Sequence, residues 1–360
     1  MRIKDLFEIN KGITTSREFF DDNKGIPCVH YGDIYRFYNE KTILSSNILN
    51  KFTLNLDKLK PINQDSIIMP DVTETITDFG HLTYIKYDKT QYINGTHTLV
   101  ILNNRNNNLK YLFYYLQSSK IKKQLQTLLL GSTVFQISKK GLENFELQSI
   151  HSENEQRHIV DIIGSLDDKI ENNNKIIDKL WQKLQLVHTD FKSKNELVEK
   201  NILELSDIKY GKGIPTSEIS KDGLYSVYGS NGIIGYLNNY IFKEHKIAIS
   251  CRGNSSGIIH LTDENSTVTS NSLVLDFKNF DYTYYFFLEF MYKGLYEYKT
   301  GSAQPQITID NLKILNLQVP KNINDYIKNI NDSVEYTFCL KKENQKLFLL
   351  KQFYLKKFFV

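Results

Sequence analysis

Cysteine and proline are scarce in this chain, which has three cysteines and six prolines among 360 residues. Cys28, Cys251 and Cys339 lie far apart, and no C-x-x-C pair is present. The sequence therefore lacks the signatures of a zinc site or a redox motif, and we expect reduced, incidental thiols. No two prolines are adjacent, so the Pro-Pro-aromatic motif with which an amino-methylating enzyme holds a flipped base is missing as well.

Long hydrophobic runs are also missing. No apolar run approaches the roughly 18 residues that would span a bilayer. Residues 1–6 contain no apolar core followed by a small-residue cleavage site, which predicts a protein without a secretion signal. We therefore expect a cytoplasmic protein with no membrane partner.

Motifs of nucleotide and hydrolytic chemistry are absent. The segment GKG at 211–213 lacks the spacing and the following hydroxyl residue of the phosphate-binding G-x-x-x-x-G-K-[ST] loop. Neither a G-x-S-x-G motif nor histidines at metal-binding spacing occur. Asp65, Asp71 and Glu74 lie close together in sequence, but without a partner histidine they are interpreted as turn residues. We expect no ATPase, methyltransferase or hydrolase activity from this chain alone.

The composition is that of a folded globular chain with 41% hydrophobic and 24% charged residues. Its length allows about two or three domains. The net charge of +4 does not by itself indicate a nucleic-acid partner. Residues 1–150 hold 19 Lys and Arg against 15 Asp and Glu, whereas residues 201–320 hold 10 against 12. If the second stretch binds DNA, it must use a local face, with other members of a complex supplying much of the attraction to phosphate.

A heptad pattern occupies residues 153–191. Apolar residues recur there at alternating steps of four and three, without a proline, which predicts a long helix with a narrow apolar seam. About 39 residues at about 1.5 Å each give a rod of roughly 58 Å, which needs a partner helix. The alternative is a long core helix of one globular domain, but the polar flanks favour a two-helix coiled coil. The predicted seam is Ile159, Ile163, Leu166, Ile170, Asn173, Ile177, Leu180 and Leu184, followed by Val187 and Phe191.

An internal repeat relates the two halves of the chain. The octapeptide GSTVFQIS at 131–138 returns as GSAQPQIT at 301–308, a shift of 170 residues, and the alignment continues without a gap to give seven identities in 20 pairs. Both copies lead into a long helical segment, the first at Glu153 and the second at about Asn322. Repeats of this kind indicate a duplicated architecture.

The starts of the two halves correspond less strictly. LFEI at 6–9, followed by KGITT at 11–15, resembles LSDI at 205–208, followed by KGIPT at 212–216 with two extra residues. Each half thus has the order globular part, Gly-Ser loop and long helix. Three features in one order predict duplication of the whole unit.

The globular parts carry signals for short strands, tight turns and one helix before each Gly-Ser loop. Strands are predicted at 66–69, 98–102, 246–250 and 272–275, and helices at 109–130 and 282–298. We predict an α+β fold with two globular domains separated by two long antiparallel coiled-coil helices and an internal pseudo-two-fold repeat. The predicted segments are a first globular domain at 1–150, a first rod at 151–200, a second globular domain at 201–320 and a second rod at 321–360.

The second rod is less regular than the first. Apolar spacing of four and three places Lys341 and Lys351 on its seam, whereas a shift to Leu340, Leu347 and Tyr354 removes the lysines but breaks the phase. Its register therefore stays open. Because the first rod needs a partner and the second is about as long, we expect the two to pack antiparallel, with the globular domains at opposite ends.

Asn173 is the polar member of the first seam. A polar residue at one seam position can determine the register of a coiled coil at some cost in stability. We therefore expect Asn173 to face Asn344 or a nearby polar group on the second rod.

A glycine-rich segment, CRGNSSG at 251–257, stands out in the second half. Its backbone N–H groups could bind phosphate, and a hairpin turn is the alternative. The motif alone does not decide between the two.

The order of these elements resembles the specificity (S) subunit of type I restriction-modification systems. The resemblance is carried by residues 131–147 with Glu155, Gln156 and Ile159, and by residues 301–320. YSVYGSNGIIGY at 225–236, followed by ISCRG at 249–253, is similar to one common type of target recognition domain. The resemblance covers essentially the whole chain.

The resemblance implies a non-catalytic reader of double-stranded DNA. Each globular domain would be a target recognition domain for one half of a split target, and the paired helices would set the spacer between the halves. Two methyltransferase (M) subunits would dock on the helices and methylate adenine with S-adenosylmethionine, and restriction (R) subunits would add ATP- and Mg-dependent translocation and cleavage. These cofactors belong to the partner subunits, and we expect none bound by this chain.

Candidate DNA-binding residues are those whose side chains contact base edges or phosphates in protein–DNA complexes. For each of them a structural role in a loop is the alternative. The candidates are Lys11, Thr15, Arg17, Tyr31, Arg36, Ser132 and Gln136 in the first half, and Lys212, Thr216, Tyr228, Asn231, Arg252, Asn254, Ser302 and Gln306 in the second.

Two other classes of function compete with a DNA reader. A coiled-coil scaffold whose globular domains bind proteins would account for the helices, but it gives no reason for the polar, Gly-Ser-rich edges. An autonomous nuclease or methyltransferase would require a catalytic motif, and the sequence shows none.

Overall fold

The structure is a computed structural model, and it describes residues 1–21, 24–38, 41–43, 49–54, 59–103, 107–220, 223–301 and 304–359. Contacts divide the chain into two compact units. Unit 1 is Met1–Asn172 with Glu343–Val360, and unit 2 is Asn173–Lys342. The predicted four-segment division is based on sequence alone and stays a prediction.

Two long helices dominate the helical content of the described residues. The helices are α1 Ile3–Leu6, α2 Tyr31–Asp33, α3 Leu109–Gln117, α4 Ser119–Gln126, α5 Lys139–Glu143, α6 Glu153–Lys194, α7 Ile202–Leu205, α8 Asp281–Lys293, α9 Ile309–Lys313 and α10 Asn324–Phe358. The first rod is α6 and the second is α10. A capping box starts α6, since Glu155 accepts a hydrogen bond from the Ser152 N–H at 2.9 Å and the Ser152 hydroxyl accepts one from the Glu155 N–H. No helix in these ranges is long and apolar enough to cross a membrane.

Unit 1 is built on a five-stranded sheet in the order β1-β10-β6-β8-β4. Its strands are β1 Phe7–Lys11, β2 Phe20–Asp21, β3 Ile26–Val29, β4 Thr42–Ile43, β5 Lys51–Phe52, β6 Ser66–Pro70, β7 Val72–Thr73, β8 Thr83–Ile85, β9 Ile93–Asn94, β10 Thr98–Asn103 and β11 Phe135–Gln136. β6 and β10 confirm the two strands predicted in this half, and almost every residue in them is buried. This burial explains why they appear in the sequence as continuous apolar runs.

Unit 2 is built on a four-stranded sheet in the order β13-β19-β16-β17. Its strands are β12 Leu197–Asn201, β13 Ser206–Tyr210, β14 Tyr225–Gly229, β15 Gly232–Leu237, β16 Ile247–Ser250, β17 Ile259–Leu261, β18 Thr267–Val268, β19 Ser272–Phe277 and β20 Asn316–Pro320. In the order of the sheet, these four strands take the places of β1, β10, β6 and β8. The sheet therefore repeats the topology of unit 1.

Equivalent hydrogen bonds in the two units extend the repeat beyond the segments that are similar in sequence. The Ile3 N–H donates to the Phe145 carbonyl at 3.0 Å, and the Ile202 N–H donates to the Leu315 carbonyl at 3.0 Å. The two acceptor residues differ by 170 in number, which is the shift between the Gly-Ser loops. The two donor residues differ by 199, which is the shift between Leu6 and Leu205 at the starts of the two halves. The same contact therefore joins the same two repeated segments in each unit. A single shift does not hold along the whole chain, since the segments between these anchors differ in length.

The helix before each Gly-Ser loop also repeats. Tyr115 on α3 donates its hydroxyl hydrogen bond to the Gln148 carbonyl at 3.0 Å, and Tyr285 on α8 donates to the Gln318 carbonyl at 3.3 Å. Both pairs keep the shift of 170. The repeat therefore begins at least 16 residues before the Gly-Ser octapeptide, since 131 − 115 is 16.

Each unit buries its helix between the sheet and a section of a long helix. In unit 1 one core cluster joins Ile101 of the sheet, Phe113 of α3 and Ile159 of α6. In unit 2 the corresponding cluster joins Ile249 and Phe286 with residues of both long helices. Burial of this apolar surface is the main source of stability for both units.

The two predicted helices before the Gly-Ser loops are shorter than expected. The helix predicted at 109–130 is broken at Ser118, whose backbone is extended and whose hydroxyl donates to the Tyr115 carbonyl at 2.9 Å. The helix predicted at 282–298 ends at Lys293, because Gly294 follows with φ 68° in a helix-terminating conformation. Apolar spacing alone did not reveal either stop.

Within unit 1, the sections of α6 and α10 run antiparallel. His158 on α6 packs edge-on against Phe358, with 6.4 Å between ring centroids. Further along α6, Asp167 forms an ion pair of 2.8 Å with Lys351. Residue numbers rise on one helix as they fall on the other, as predicted for antiparallel helices.

Within unit 2, the other sections of the two helices show the same direction. The Nζ of Lys341 lies 5.9 Å from the centroid of the Trp181 ring. Further along α6, the Nδ1 of His188 is 2.9 Å from the Tyr326 hydroxyl. The antiparallel pairing therefore holds in both units. The predicted placement of the globular domains at opposite ends concerns both units together and stays a prediction.

The seam of the second rod changes phase by one residue along the helix. Thr337 and Leu340 are buried, the latter to 4% exposure, while Lys341 is exposed. Further along, Lys351 and Leu355 are each 2% exposed. Neither register considered from the sequence is therefore correct over the whole rod. Lys351 can be buried on the seam because the Asp167 carboxylate lies 2.8 Å from its Nζ.

The predicted seam residues of the first rod are all buried or half-buried in the structure. Asn173 is fully buried, as a register-determining polar residue would be. The predicted contact between Asn173 and Asn344 joins residues of different units, and it stays a prediction.

Candidate nucleic-acid interface

Three strands of unit 1 place their loops at one edge of the sheet. β1 ends at Lys11, which pairs with Leu99 near the start of β10, and Thr98 pairs with Pro70 at the end of β6. The neighbouring Gly-Ser loop joins them, since β11 pairs with β7. We call residues 11–16, 70–73, 95–98 and 131–137 loop edge 1. It collects most of the candidate residues of the first half.

The turn after β1 depends on a close backbone approach. The Gly12 N–H donates to the Thr98 carbonyl at 2.8 Å, and the Ile13 N–H donates to the Asn94 carbonyl at 3.0 Å. A Cβ on Gly12 would collide with the carbonyl oxygen of Gly95. Glycine is therefore required here for space.

The same turn occurs in unit 2 after β13. The Gly211 N–H donates to the Ser272 carbonyl at 2.9 Å, and the Lys212 N–H donates to the Val268 carbonyl at 2.8 Å. Gly211 is thus the equivalent of Gly12. The sequence alignment paired Lys11 with Lys212 because the KGI segments are similar, and it required two extra residues in the second half. In the structure β1 and β13 have the same length, so Lys11 corresponds to Tyr210 and the alignment was wrong by two residues.

The Gly-Ser loops close in the same way in both units. Gln136 forms a bridge with Leu130, and Gln306 forms one with Thr300. The next residue in each case anchors the loop to the sheet. The Ile137 N–H donates to the Asp71 carbonyl at 2.9 Å, and the Ile307 N–H donates to the Cys251 carbonyl at 3.0 Å. This geometry brings Gln136 and Gln306 to equivalent places beside the loop that follows β6 or β16. We call residues 210–216, 230–231, 251–257, 269–272, 300–301 and 304–307 loop edge 2.

Asp71 organises loop edge 1. Its side chain is 3% exposed, and its Oδ2 accepts a hydrogen bond from the Gln136 Nε2 at 3.2 Å. The Nδ1 of His97 lies 3.4 Å from the other carboxylate oxygen. The His97 ring in turn packs edge-on against Tyr31, with 5.6 Å between centroids. The sequence pattern singled out Tyr31 and Gln136 but missed His97, and it assigned Asp71 only a turn role.

A hairpin turn and a 3₁₀ turn form the centre of loop edge 2. Ser230 and Asn231 connect β14 to β15, and the Ser255 hydroxyl donates to the Asn231 side-chain oxygen at 2.5 Å. Asn254 lies in the 3₁₀ turn Gly253–Ser255, and Arg252 forms a β-bridge with Gln306. The segment 251–257 connects the antiparallel strands β16 and β17, so the hairpin interpretation of this glycine-rich motif is correct.

Most candidate residues of both halves reach the surface. Exposed side chains belong to Lys11, Arg36, Ser132, Lys212, Thr216, Asn231, Arg252, Asn254 and Gln306, and half-buried ones to Tyr31 and Gln136. Arg36 lies in the π-helical turn Ile34–Tyr38, and the backbone of Arg17 lies in the 3₁₀ turn Arg17–Phe19. Ser302 lies outside the described residues.

Two candidates are buried. The Thr15 hydroxyl is 3.0 Å from the Thr96 hydroxyl and holds the turn after β1 to the one before β10. Tyr228 packs in a small core with Val268 and Val274, and its hydroxyl accepts a hydrogen bond from the Asp263 N–H at 3.1 Å. Burial, followed by the nearby charge of Asp263, raises the pKa of Tyr228. Both side chains are buried in this conformation, and a role for them in DNA binding stays a prediction.

The loop edges present hydrogen-bonding groups and positive charge. Amide, hydroxyl and guanidinium groups of this kind read base edges and contact phosphates. In the described part of the chain, histidine, cysteine, aspartate and glutamate side chains form no cluster that could hold a metal ion. The fold and its edges define a duplicated α+β binding protein with one polar loop edge in each half.

Comparison with known proteins identifies the family. The family described as type I restriction modification DNA specificity domain matches residues 1–182 and 194–351, and the chain belongs to it. A curated protein of Mycoplasma genitalium that is named as a type I specificity subunit is 26% identical over 178 residues, which is 45% of this chain and 46% of the relative. This match spans about half the length of each protein.

A solved structure supports the same architecture. The crystal structure of a type I restriction-modification system S subunit from M. genitalium is 18% identical in sequence and has a TM-score of 0.57. The similarity covers 99% of this chain and 94% of the other. At this level of identity it shows the fold, and it confirms the predicted α+β architecture with two long helices.

Proposed function

We propose that this chain is the DNA-recognition subunit of a type I restriction-modification complex and has no catalytic activity of its own. The single observation that carries the proposal is the duplicated loop edge. Equivalent backbone hydrogen bonds in both units present exposed polar and basic side chains beside the same turns. Two such edges in one chain suit a DNA target with two separate halves, because simultaneous engagement multiplies the specificity of each.

Loop edge 1 and loop edge 2 each read one half of the target. Different residues occupy equivalent places in the two edges, for example Asp71 in unit 1 and Cys251 in unit 2. The two halves of the target therefore differ in sequence. Neither edge has enough positive charge to bind DNA tightly alone, and partner subunits supply the remaining phosphate contacts.

The paired helices α6 and α10 set the spacer between the two halves of the target. A helical rod keeps a separation that a flexible linker would not. Two methyltransferase subunits dock on these helices and methylate adenine with S-adenosylmethionine, and restriction subunits use ATP and Mg. The complex acts on cytoplasmic double-stranded DNA.

Deleting one heptad from each long helix tests this function. Seven residues at about 1.5 Å each shorten a rod by about 10 Å, which equals about three base pairs at about 3.4 Å each. The variant, co-purified with its methyltransferase partner, is expected to methylate the same two half-sites with a spacer about three base pairs shorter. An insertion of seven residues in the loop at 86–91, between β8 and β9 and outside both loop edges, serves as the control for length alone. An unchanged spacer in the heptad variant contradicts the role of the helices.

The same assay separates a DNA reader from a protein-binding scaffold. A DNA reader directs methylation to one split sequence, whereas a scaffold leaves methylation without sequence preference or abolishes it. Absence of sequence-specific DNA binding in the assembled complex contradicts the proposed function and favours the scaffold.

A further inference from the structure

The side chain of Gln136 is held in one orientation by a buried carboxylate. Its Nε2 donates to Asp71 at 3.2 Å. A carboxylate only accepts hydrogen bonds, so Gln136 must turn its NH₂ group and not its carbonyl oxygen toward Asp71. The amide oxygen and the second N–H remain for another partner, and Gln136 is half-buried at the surface of loop edge 1.

The surrounding loops bring Asp71 to this position. The Asp71 N–H donates to the His97 carbonyl at 3.0 Å, and the Asp71 carbonyl accepts from the Ile137 N–H at 2.9 Å. His97 has a φ of 56° and is 48% exposed. Residues other than glycine rarely adopt a positive φ, and such backbone conformations cluster at functional sites. Three loops are thus tied together where Gln136 meets Asp71.

An oriented glutamine amide complements one base in particular. In the major groove adenine offers the N6 amino group as a donor and N7 as an acceptor, and a glutamine amide pairs with both at once. Without Asp71 the amide of Gln136 could rotate by 180° and exchange its donor and acceptor. The carboxylate removes this freedom before DNA is bound.

We propose that Asp71 is a positioning residue that orients Gln136 to read an adenine in the half of the target bound by unit 1. The inference rests on the proposed function and adds a residue-level assignment to it. Unit 2 lacks this device, because the place of Asp71 is taken by Cys251, whose thiol is directed to the Ser270 carbonyl. Gln306 pairs through its backbone with Arg252, as Gln136 pairs with Val72, so the two units differ here in the side chain beside the glutamine and not in the backbone. The adenine reader is therefore specific to unit 1.

The experiment uses the complex of the full chain with its methyltransferase partner and a library of random DNA duplexes. The wild-type complex selects two half-sites, one of them containing an A·T pair read by Gln136. Asp71→Asn and Gln136→Ala are each expected to lower the preference for that one pair on the order of 10-fold, because each weakens the bidentate contact with that base. The double variant is expected to be no worse than Gln136→Ala, because Asp71 acts through Gln136.

The second half-site is an internal control for folding. Asp71→Asn and Gln136→Ala should both still select the second half-site if the complex is intact. Gln306→Ala is expected to alter selection of the second half-site and to leave selection of the first unchanged. Three results overturn the inference: an unchanged first half-site in Asp71→Asn, an equal loss at every position of that half-site, or a change confined to a G·C pair. Failure of the wild-type complex to select any sequence is a different result, and it overturns the proposed function together with the inference.

Discussion

The Nζ of Lys351 lies 2.8 Å from the Oδ1 of Asp167, and the two side chains are only 3% and 11% exposed. The Tyr114 hydroxyl donates a further hydrogen bond to the same carboxylate at 3.0 Å. A lysine on the helix seam is tolerated because its charge is neutralised by the facing helix. The contact joins α3, α6 and α10 within unit 1.

Replacement of Lys351 by alanine is expected to destabilise unit 1. The change leaves Asp167 as an uncompensated, largely buried charge, which costs about 3 kcal/mol. Thermal unfolding followed by circular dichroism measures the effect. Lys139→Ala removes a more exposed pair with Glu143 in the same unit and should cost less than about 1 kcal/mol. Equal effects of the two substitutions would contradict the importance of the buried pair.

Glu289 gives unit 2 a dependence on acidic pH. Burial by itself raises the pKa of Glu289, but hydrogen bonds from His188, Lys192 and Lys293 outweigh it, so that the pKa lies well below its ordinary value. A lowered pKa in the folded state gives stability that is present above the unfolded pKa of about 4.3 and is lost as the pH falls toward the folded pKa. Unit 2 should therefore melt at lower temperature below about pH 4.

The variant Glu289→Gln tests this dependence. It is expected to be about 2 kcal/mol less stable than the wild type at pH 7, because it loses charge-assisted hydrogen bonds. The difference should narrow as the pH falls from 5 to 3, as measured by melting temperatures across that range. Asp310→Asn changes an exposed carboxylate and should leave the pH profile as it is. A difference in melting temperature between wild type and Glu289→Gln that stays constant at all pH values would argue against Glu289 as the source of the acid dependence.

The glycines after β13 provide a matched test of the repeat. A Cβ on Gly211 would overlap the carbonyl oxygens of Val268 and Thr269, whereas a Cβ on Gly213 would have no neighbour within 4 Å. Gly211→Ala is therefore expected to destabilise unit 2 by more than about 2 kcal/mol, and Gly213→Ala by less than about 0.5 kcal/mol. Chemical unfolding compares the two. If Gly213→Ala were the more damaging change, the equivalence of Gly12 and Gly211 would be wrong.

Arg252 is expected to contribute to reading by loop edge 2. It is exposed beside Gln306, and a guanidinium group contacts guanine through two hydrogen bonds worth about 1–3 kcal/mol. In the assembled complex, Arg252→Ala should weaken selection of the second half-site and leave the first intact. Lys313→Ala removes another exposed charge from unit 2, outside loop edge 2, and serves as the control. An equal loss of selection at the second half-site in Arg252→Ala and Lys313→Ala would indicate a general effect of charge.

The fold was largely predictable because its main signals are local in sequence. The heptad spacing of α6 follows directly from one apolar stripe on one helix, and the buried strands β6 and β10 appear as short apolar runs. The exact ends of α3 and α8 were missed because Ser118 and Gly294 interrupt helices whose apolar spacing continues beyond them. The register of α10 was open because the seam position of Lys351 depends on Asp167, 184 residues away in sequence.

The candidate interface was predictable only in part. Exposed members such as Asn231 and Arg252 lie in turns that the sequence marks with glycine. The order of the strands in the sheet determines that Thr15 and Tyr228 are buried and that His97 lies beside Asp71. No local sequence pattern predicts that strand order.

The sequence by itself determined the duplication, the long first helix and the family to which the chain belongs, since each depends on residue types at short or regular spacing. Only the tertiary structure decided that Asp71, His97 and Gln136 meet, and that Lys351 can lie on a buried seam. These contacts join loops and helices far apart in the chain. Their energies come from hydrogen bonds and charges that are strong only because the surrounding fold excludes water from them.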